Sequence, residues 1–345
     1  MLRSALDASF YTGIYRLLEP VWSGVGAIFT LHHISPENNE DPFSPNGILE
    51  IKPGYLAEVI QQVLELGYEV VTLDEVRRRL VEKDFEKKFV CFTLDDGYAD
   101  QYQYAVPVFN KYKIPFTIYV TTGLPDGVAI LWWRVIEDIL RKENKIDLTI
   151  DDNLIRMPTR TAKEKYLAFK AIYWPLRQAS HASQQATIQG LINKYSIDCP
   201  AMCRNSALSW EMLQQLSRNE LATIGAHTVN HYQMNRLSSQ EVSDDASQGR
   251  EILMRRLGRE PAHFSYPYGD RASAGPREFS IIKDLGFATA TTTRKGVLFP
   301  EHREHLHALP RISLNGDYQL KRYIPLFLSG APFALWNRFR RLNVD

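Results

Sequence analysis

Phe92-Thr93-Leu94-Asp95-Asp96-Gly97-Tyr98-Ala99-Asp100 is the end of an apolar strand that runs directly into two adjacent carboxylates and a glycine. Adjacent carboxylates at a partly buried strand end raise one another's pKa unless a cation intervenes. A divalent metal would supply that cation; a solvated Asp-Asp-Gly turn is the plainer alternative for the stretch taken alone. Working outward, short apolar and β-branched runs recur at Ala27–His33, Phe89–Asp95, Phe116–Thr122, Thr223–His227, His263–Tyr268, Phe287–Thr293 and Ala308–Leu314. Helical patterns lie between them near Tyr55–Leu66, Leu73–Val81, Ala99–Tyr112, Ser209–Ser217, Ser239–Leu257 and Pro276–Leu285, and Glu69–Thr72 reads as an extra strand. This alternation predicts an α/β fold of βα units around a mostly parallel sheet.

The third and fourth of these strands are about a hundred residues apart, far more than a βαβ crossover needs, and much of that stretch is helical in pattern. The expected organisation is an N-terminal helical segment over 1–26, a barrel over 27–123 and 209–318, a helical insertion over 124–208, and a C-terminal amphipathic segment over 319–345. The C-terminal segment, with LKRYIPLFLSG followed by APFALWNRFRRL, mixes aromatics with arginine. It permits two readings, a cap on the barrel or contact with a membrane surface, and Phe10–Val21 permits the same two. Leu131-Trp132-Trp133-Arg134 opens the insertion, where the tryptophans either pack it against the barrel or stack on sugar rings.

With 44% hydrophobic residues in 345, the chain can fill a sizeable core. Forty-one basic against 40 acidic residues create no global field that attracts nucleic acid. Cys91, Cys199 and Cys203 are an odd set without a second metal-binding pair, so free thiols in a reducing compartment are expected. The N-terminus does not read as a secretory signal, and no stretch reaches the roughly eighteen uncharged apolar residues of a membrane-spanning helix. Cytoplasmic residence, with peripheral contact at the inner membrane face as an option, is the expectation.

The second chemical signal is His227-Thr228-Val229-Asn230-His231, at the end of the run TIGAHT. Two imidazoles four residues apart, on a helix face or in a tight turn, can reach one divalent ion. Alone the pair is weak; with the carboxylates it makes a two-histidine, one-carboxylate set with open positions. In a parallel βα barrel the strand C-termini converge on one face. Asp95, Asp96, His227, His32 in IFTLHHIS and the turn Phe264–Asp270 all lie at such ends.

These motifs resemble the polysaccharide deacetylase family, carbohydrate esterase family 4, with its nodulation-type deacetylase domain. The resemblance implies a distorted (β/α)7-type barrel and removal of acetyl groups from N-acetylated sugars. Thr93–Gly97 is similar to the family's first motif, which implies Asp95 as catalytic base and Asp96 as metal ligand. His227 and His231 match the second motif, the two metal-binding histidines. Phe264–Gly269 looks like the third, which implies that the Tyr268 backbone N–H helps form the oxyanion hole. The common form carries an arginine near Ser265 that orients the base; Arg311 in ALPRISL resembles its substitute in the branch with a YPYG-type third motif. No Leu-x-His acid follows Leu314, and His307 precedes its strand, at the wrong rim. LHHISPE is similar to that branch's N-terminal motif, implying His32, or less directly His33, as the general acid; a buried histidine satisfied by backbone is the alternative.

The expectation is therefore a metal-dependent hydrolase that removes N-acetyl groups from a glycan or lipid-linked sugar, with an intermediate of surface polysaccharide assembly as the candidate substrate. Zinc is the default metal, with nickel, cobalt or manganese able to serve. The alternatives are a non-catalytic carbohydrate-binding barrel, which would have a damaged triad or base, and a deacylase of an O-acetyl ester or a formamide. His181, His263, His302 and His305 read as surface or packing residues, and Asp100 and Asp270 as helix caps in preference to site-lining groups.

Overall fold

The apolar runs form strands that neighbour one another in chain order. In the computed structural model, which describes residues 2–36 and 41–345, seven parallel strands close into a ring. They are β1 (Gly26–Leu31), β2 (Phe89–Leu94), β3 (Phe116–Val120), β4 (Ala222–Ala226), β5 (His263–Ser265), β6 (Thr289–Lys295) and β7 (Leu309–Ser313). Each pairs with its successor, and β7 returns to β1 through Phe29↔Ile312. Every residue of β1, β2 and β3 is buried, so these strands read as continuous apolar runs without an exposed face, as expected where helices cover the outside of a parallel barrel.

The ring is uneven. β1 and β2 align over six residue pairs from Gly26↔Phe89 to Leu31↔Leu94, whereas β4 and β5 share one, Ala226↔Phe264. The β6–β7 register shifts between Thr291 and Lys295. The short extra strand Glu69–Val70 pairs with the first two residues of β2, while β3 pairs with Thr93 and Leu94.

Helix Ser239–Leu257 matches its expected bounds because Ser238 and Glu241 make a reciprocal capping box at its start and Gly258, at φ 71°, ends it. The pattern over Ala99–Tyr112 becomes a π-helical turn, Gln101–Ala105, followed by the α-helix Val106–Tyr112.

The insertion is not wholly helical. Helices Trp132–Lys142, Ala162–Gln178, His181–Tyr195 and Cys199–Ser206 are joined by an antiparallel hairpin, Lys145–Ile150 with Asn153–Pro158. Ile146, Leu148 and Ile150 alternate inward, and Asp151 and Asp152 turn the chain with φ of 46° and 65°, the two positive values that a type I′ hairpin requires. This segment has its own apolar cluster, built on residues such as Trp132, Ile136, Phe169 and Leu191, which takes in Tyr98 from the barrel and packs against Tyr268. The three cysteines are free and buried.

The terminal helices pack on the barrel. Leu6, Tyr15, Tyr323, Ile324, Phe327 and Phe333 join the main core with Phe29 and Ile312. Opposite faces of the same helices remain exposed, Leu17 at 78%. Among the described residues, no helix is long and apolar enough to cross a membrane.

Candidate metal centre and active site

The carboxylate pair leaves β2 in two directions. Asp96 has φ 73°, a left-handed backbone that costs a residue with a Cβ about 1–3 kcal/mol. This reversal sends its carboxylate towards the histidine turn. Thr228 (φ 63°), His231 (φ 57°) and Tyr268 (φ 62°) are held in the same region, so strained backbone collects on this rim. Asp96 Oδ1 lies 3.2 Å from His227 Nε2 and 3.1 Å from His231 Nε2. All three side chains are buried, with donor atoms within 4.8 Å of one another. Ligands about 2.1 Å from a shared ion stand about 2.9–3.4 Å apart, so these donors fit one divalent cation.

Each member of the set is held by a neighbour. The Ser265 carbonyl accepts from His227 Nδ1 at 2.6 Å, which fixes the tautomer and leaves Nε2 free to bind. The His turn is tied from below, where Asp245 Oδ1 accepts from the N–H groups of Val229 and Asn230, both at 3.2 Å, and from Asn230 Nδ2 at 2.8 Å. One helical turn on, Gly249 lies against the same segment: a Cβ there would stand 3.0 Å from the Thr228 carbonyl carbon. Burial opposes charge on Asp96, but the His231 charge and the two imidazole hydrogen bonds hold its pKa well below the carboxylate range. His227 is raised above 6.5, because its hydrogen bond to Asp96 and the charges of Asp95 and Asp96 outweigh burial.

Asp95 faces Arg311. The guanidinium donates from Nη1 to Oδ1 at 2.7 Å and from Nη2 to Oδ2 at 2.6 Å. Its remaining N–H groups reach the Thr292 carbonyl (2.8 Å), Thr93 Oγ1 (3.0 Å) and Ser265 Oγ (3.0 Å), so all five donors are used. Ser265 is small enough to leave room for this side chain and polar enough to meet it. Burial pushes the Asp95 pKa up, and the Arg311 charge and fork overcome it, leaving the carboxyl below its ordinary 3.8.

His32 Nε2 stands 3.9 Å from Asp95 Oδ2, beyond hydrogen-bond reach. Burial lowers its pKa, partly opposed by the charges of Asp96 and Asp95. His33 points elsewhere: Nδ1 meets Asp100 Oδ2 at 2.6 Å and its ring stacks on Tyr98 at 3.7 Å. Glu37, the last residue of LHHISPE, lies outside the described residues. Asp100 is thus a partner of His33 and makes no side-chain cap, and Asp270 pairs with Arg177 at 2.8 Å. The capping expected of these two aspartates fails because the Asp100 carboxylate is taken by the His33 ring and that of Asp270 by the Arg177 guanidinium.

Tyr268 closes the rim. Its ring centroid is 4.9 Å from that of His231, its hydroxyl accepts from Trp132 Nε1 at 2.7 Å, and its carbonyl accepts from Thr293 Oγ1 at 2.6 Å. The Arg177 guanidinium sits 4.1 Å over the ring. Among the described residues, no acceptor is bonded to the Tyr268 N–H. Trp132 and Trp133 are buried, the Trp133 ring centroid 5.2 Å from that of His231, so these tryptophans pack the insertion onto the rim and offer no open platform to a sugar.

Asp95, Asp96, His227, His231, Tyr268, Arg311 and His32 are all brought to one rim. Gln101, Asp245, Gly249 and Arg177 were not anticipated there. Gln101 is fully buried and donates to the backbone carbonyls of His32 and Asp95, at 2.8 and 2.6 Å, tying β1 to β2 beyond their last pair. The i, i+4 spacing of Asp245 and Gly249 on one helix was visible, but not what they would face.

The family model described as polysaccharide deacetylase matches residues 82–290. No curated protein sequence matches the chain. Among solved structures it is similar to the Streptococcus pyogenes deacetylase PplD in complex with acetate, at 18% identity and a TM-score of 0.56, covering 84% of this chain and 92% of that one. IcaB from Ammonifex degensii is 18% identical with a TM-score of 0.54, covering 89% and 96%. The de-N-acetylase from Aggregatibacter actinomycetemcomitans is 14% identical with a TM-score of 0.54, covering 87% and 99%. At these identities the three structures speak for the fold. The family match spans more than half of the chain and contains the carboxylate pair, the histidine turn and the Tyr268 turn; the chain belongs to the polysaccharide deacetylase family.

Proposed function

We propose that the protein removes N-acetyl groups from an N-acetylated carbohydrate, a glycan or a lipid-linked sugar, with a divalent metal held by Asp96, His227 and His231. The observation that carries this reading is the division of labour between neighbouring carboxylates: Asp96 Oδ1 lies 3.1–3.2 Å from two imidazole nitrogens, while Asp95 is turned into the Arg311 fork. Two imidazoles and a carboxylate suit zinc, although nickel, cobalt or manganese can occupy such a set. When bound, the ion polarises the amide carbonyl and lowers the pKa of water from 15.7 towards about 7.

The remaining steps belong to the chain's own side chains. Asp95, ionised at neutral pH, takes a proton from the attacking water, and Arg311 keeps its carboxylate in the plane that faces the reaction centre. The unengaged Tyr268 N–H, aimed by its left-handed backbone, donates to the oxyanion as the carbonyl carbon becomes tetrahedral. His32, whose Nε2 stands 3.9 Å from Asp95 Oδ2, takes up the proton that Asp95 removed from the water and passes it to the departing amine, which returns Asp95 and His32 to their starting states. An amine needs that proton to leave.

The test is acetate release from a panel of N-acetylated and O-acetylated sugars, with and without a chelator. Chelator-sensitive release from N-acetylated members is expected. Release that ignores the chelator, or that comes only from O-acetyl esters, contradicts the proposal.

A further inference from the structure

A groove of about 460 Å³ lies beside the Tyr268 rim, between the turn after β5, the end of β6 and the C-terminal segment. Its walls carry Arg271, Lys295, Arg338 and Arg340, with Asp270 as its acidic lining residue. Arg294, also in the wall, is spent on the carbonyls of Asn343 and Ala274. Two of these cations are already engaged: Asp345 lies 3.6 Å from Arg271 and 3.4 Å from Arg340, and Arg271 also donates to Asn343 Oδ1 at 3.0 and 2.8 Å, while among the described residues no carboxylate pairs with Lys295 or Arg338. The groove therefore accepts anionic oxygens, and its chemistry is that of a phosphate or diphosphate site. It adjoins the reaction centre, since Thr293, which also lines it, binds the Tyr268 carbonyl at 2.6 Å, and Arg271 lies three positions after Tyr268 in the chain. Lys295, Arg338 and Arg340 fall outside the part of the chain that matches the family model.

At its other side the groove runs into an apolar surface through Trp336, which lines the groove, lies 3.8 Å from Lys295 Nζ, and is 57% exposed. Leu335 and Phe339 are exposed beside it. Helix Tyr15–Trp22 abuts this segment, with the Trp22 and Phe339 rings 5.8 Å apart, and it presents Leu17 and Val21 to solvent next to Ile14. Arg16, Arg338, Arg340 and Arg341 are distributed along the same two segments. An apolar face with a tryptophan and flanking arginines matches an anionic bilayer surface in both polarity and charge.

Resting on the N-deacetylase reading, we propose that the substrate is a sugar joined to a membrane lipid through phosphate, held by Arg271, Lys295, Arg338 and Arg340 while the two terminal helices seat the protein on an anionic membrane. The phosphate bridges the two surfaces, so the sugar beyond it is carried to the Tyr268 rim.

The test uses the full chain. Sedimentation with vesicles of phosphatidylcholine plus phosphatidylglycerol should retain the protein, and L17D/L335D, which changes two exposed side chains, should weaken retention about tenfold or more. In titrations, farnesyl diphosphate should bind more tightly than inorganic pyrophosphate or farnesol, and R338E/R340E should weaken it about tenfold. The same charge reversal should reduce, by about tenfold, the preference for a polyprenyl-diphosphate-linked N-acetylglucosamine over a soluble N-acetylated oligosaccharide. Pyrophosphate binding as tightly as the prenyl compound would mark a free-phosphate site and overturn the lipid assignment. No vesicle retention, or equal effects of R338E/R340E on both substrates, also overturns the inference while acetate release from soluble sugar leaves the deacetylase reading standing. Vesicle and prenyl-diphosphate binding without acetate release from any sugar would instead remove the deacetylase reading and keep the groove.

Discussion

At the scale of single residues the site separates two aspartates that adjoin in sequence. Asp95→Asn should retain one metal per chain while losing about two to four orders of magnitude in kcat, because it removes the base and none of the proposed ligands; steady-state rates beside metal analysis check this, and full turnover would remove Asp95 from the mechanism. Arg311→Met leaves the buried Asp95 carboxylate without its cation and should cost about 3–5 kcal/mol in denaturant unfolding. The raised pKa of His227 sets a pH dependence. A raised histidine pKa stabilises the metal-free fold below the ordinary 6.5, and that contribution fades as pH rises through the folded value. Metal uptake must displace that proton, so zinc affinity should weaken as pH falls through the raised folded value, above the ordinary 6.5, and calorimetry in buffers of different ionisation enthalpy should detect proton release. Asp95, Asp96 and the histidines were legible because their chemistry needs those residue types at that spacing. Arg311 was legible only as the substitute for an arginine missing near Ser265, and Gln101 was not legible, since a buried glutamine bonding two carbonyls leaves no pattern along the chain.

Among the secondary-structure elements, the histidine turn depends on the helix beneath it. Gly249→Ala should favour the isolated helix yet push its Cβ to 3.0 Å from the Thr228 backbone, where ordinary contacts need more room. The expected result is about tenfold weaker metal binding with little loss of helix content, followed by competition with a chromogenic chelator and by circular dichroism. Unchanged affinity would show that the turn does not rely on this close approach. Strands β1, β2 and β3 were readable because a barrel buried on both sides demands unbroken apolar runs, whereas β6, Thr289–Lys295, is marked by its β-branched threonines. The hairpin in the insertion was hidden, although Ile146, Leu148 and Ile150 alternate, because its second strand is largely exposed and its turn is Asp-Asp in place of the Asn-Gly or Asp-Gly that usually signals one.

Across the whole molecule, the barrel supplies the rim, the insertion closes it through Trp132, Trp133 and Arg177, and the termini add a surface outside the matched family region. Arg177 belongs to the insertion, yet it meets Gln233, Asp270, Ser273 and the Tyr268 ring, all on the barrel side. Arg177→Ala should therefore loosen the Tyr268 turn and lower kcat with a smaller change in KM; a pure KM effect would assign Arg177 to substrate binding instead. Such contacts join segments nearly a hundred positions apart, as in Arg177 with Asp270, and no local pattern announces them. The central claim is that Asp96, His227 and His231 share one ion. Anomalous diffraction from zinc-loaded crystals tests it most directly: a single strong peak about 2.0–2.2 Å from an Asp96 oxygen and both Nε2 atoms is predicted, and a peak bound by Asp95 or lying away from the histidine turn would contradict it.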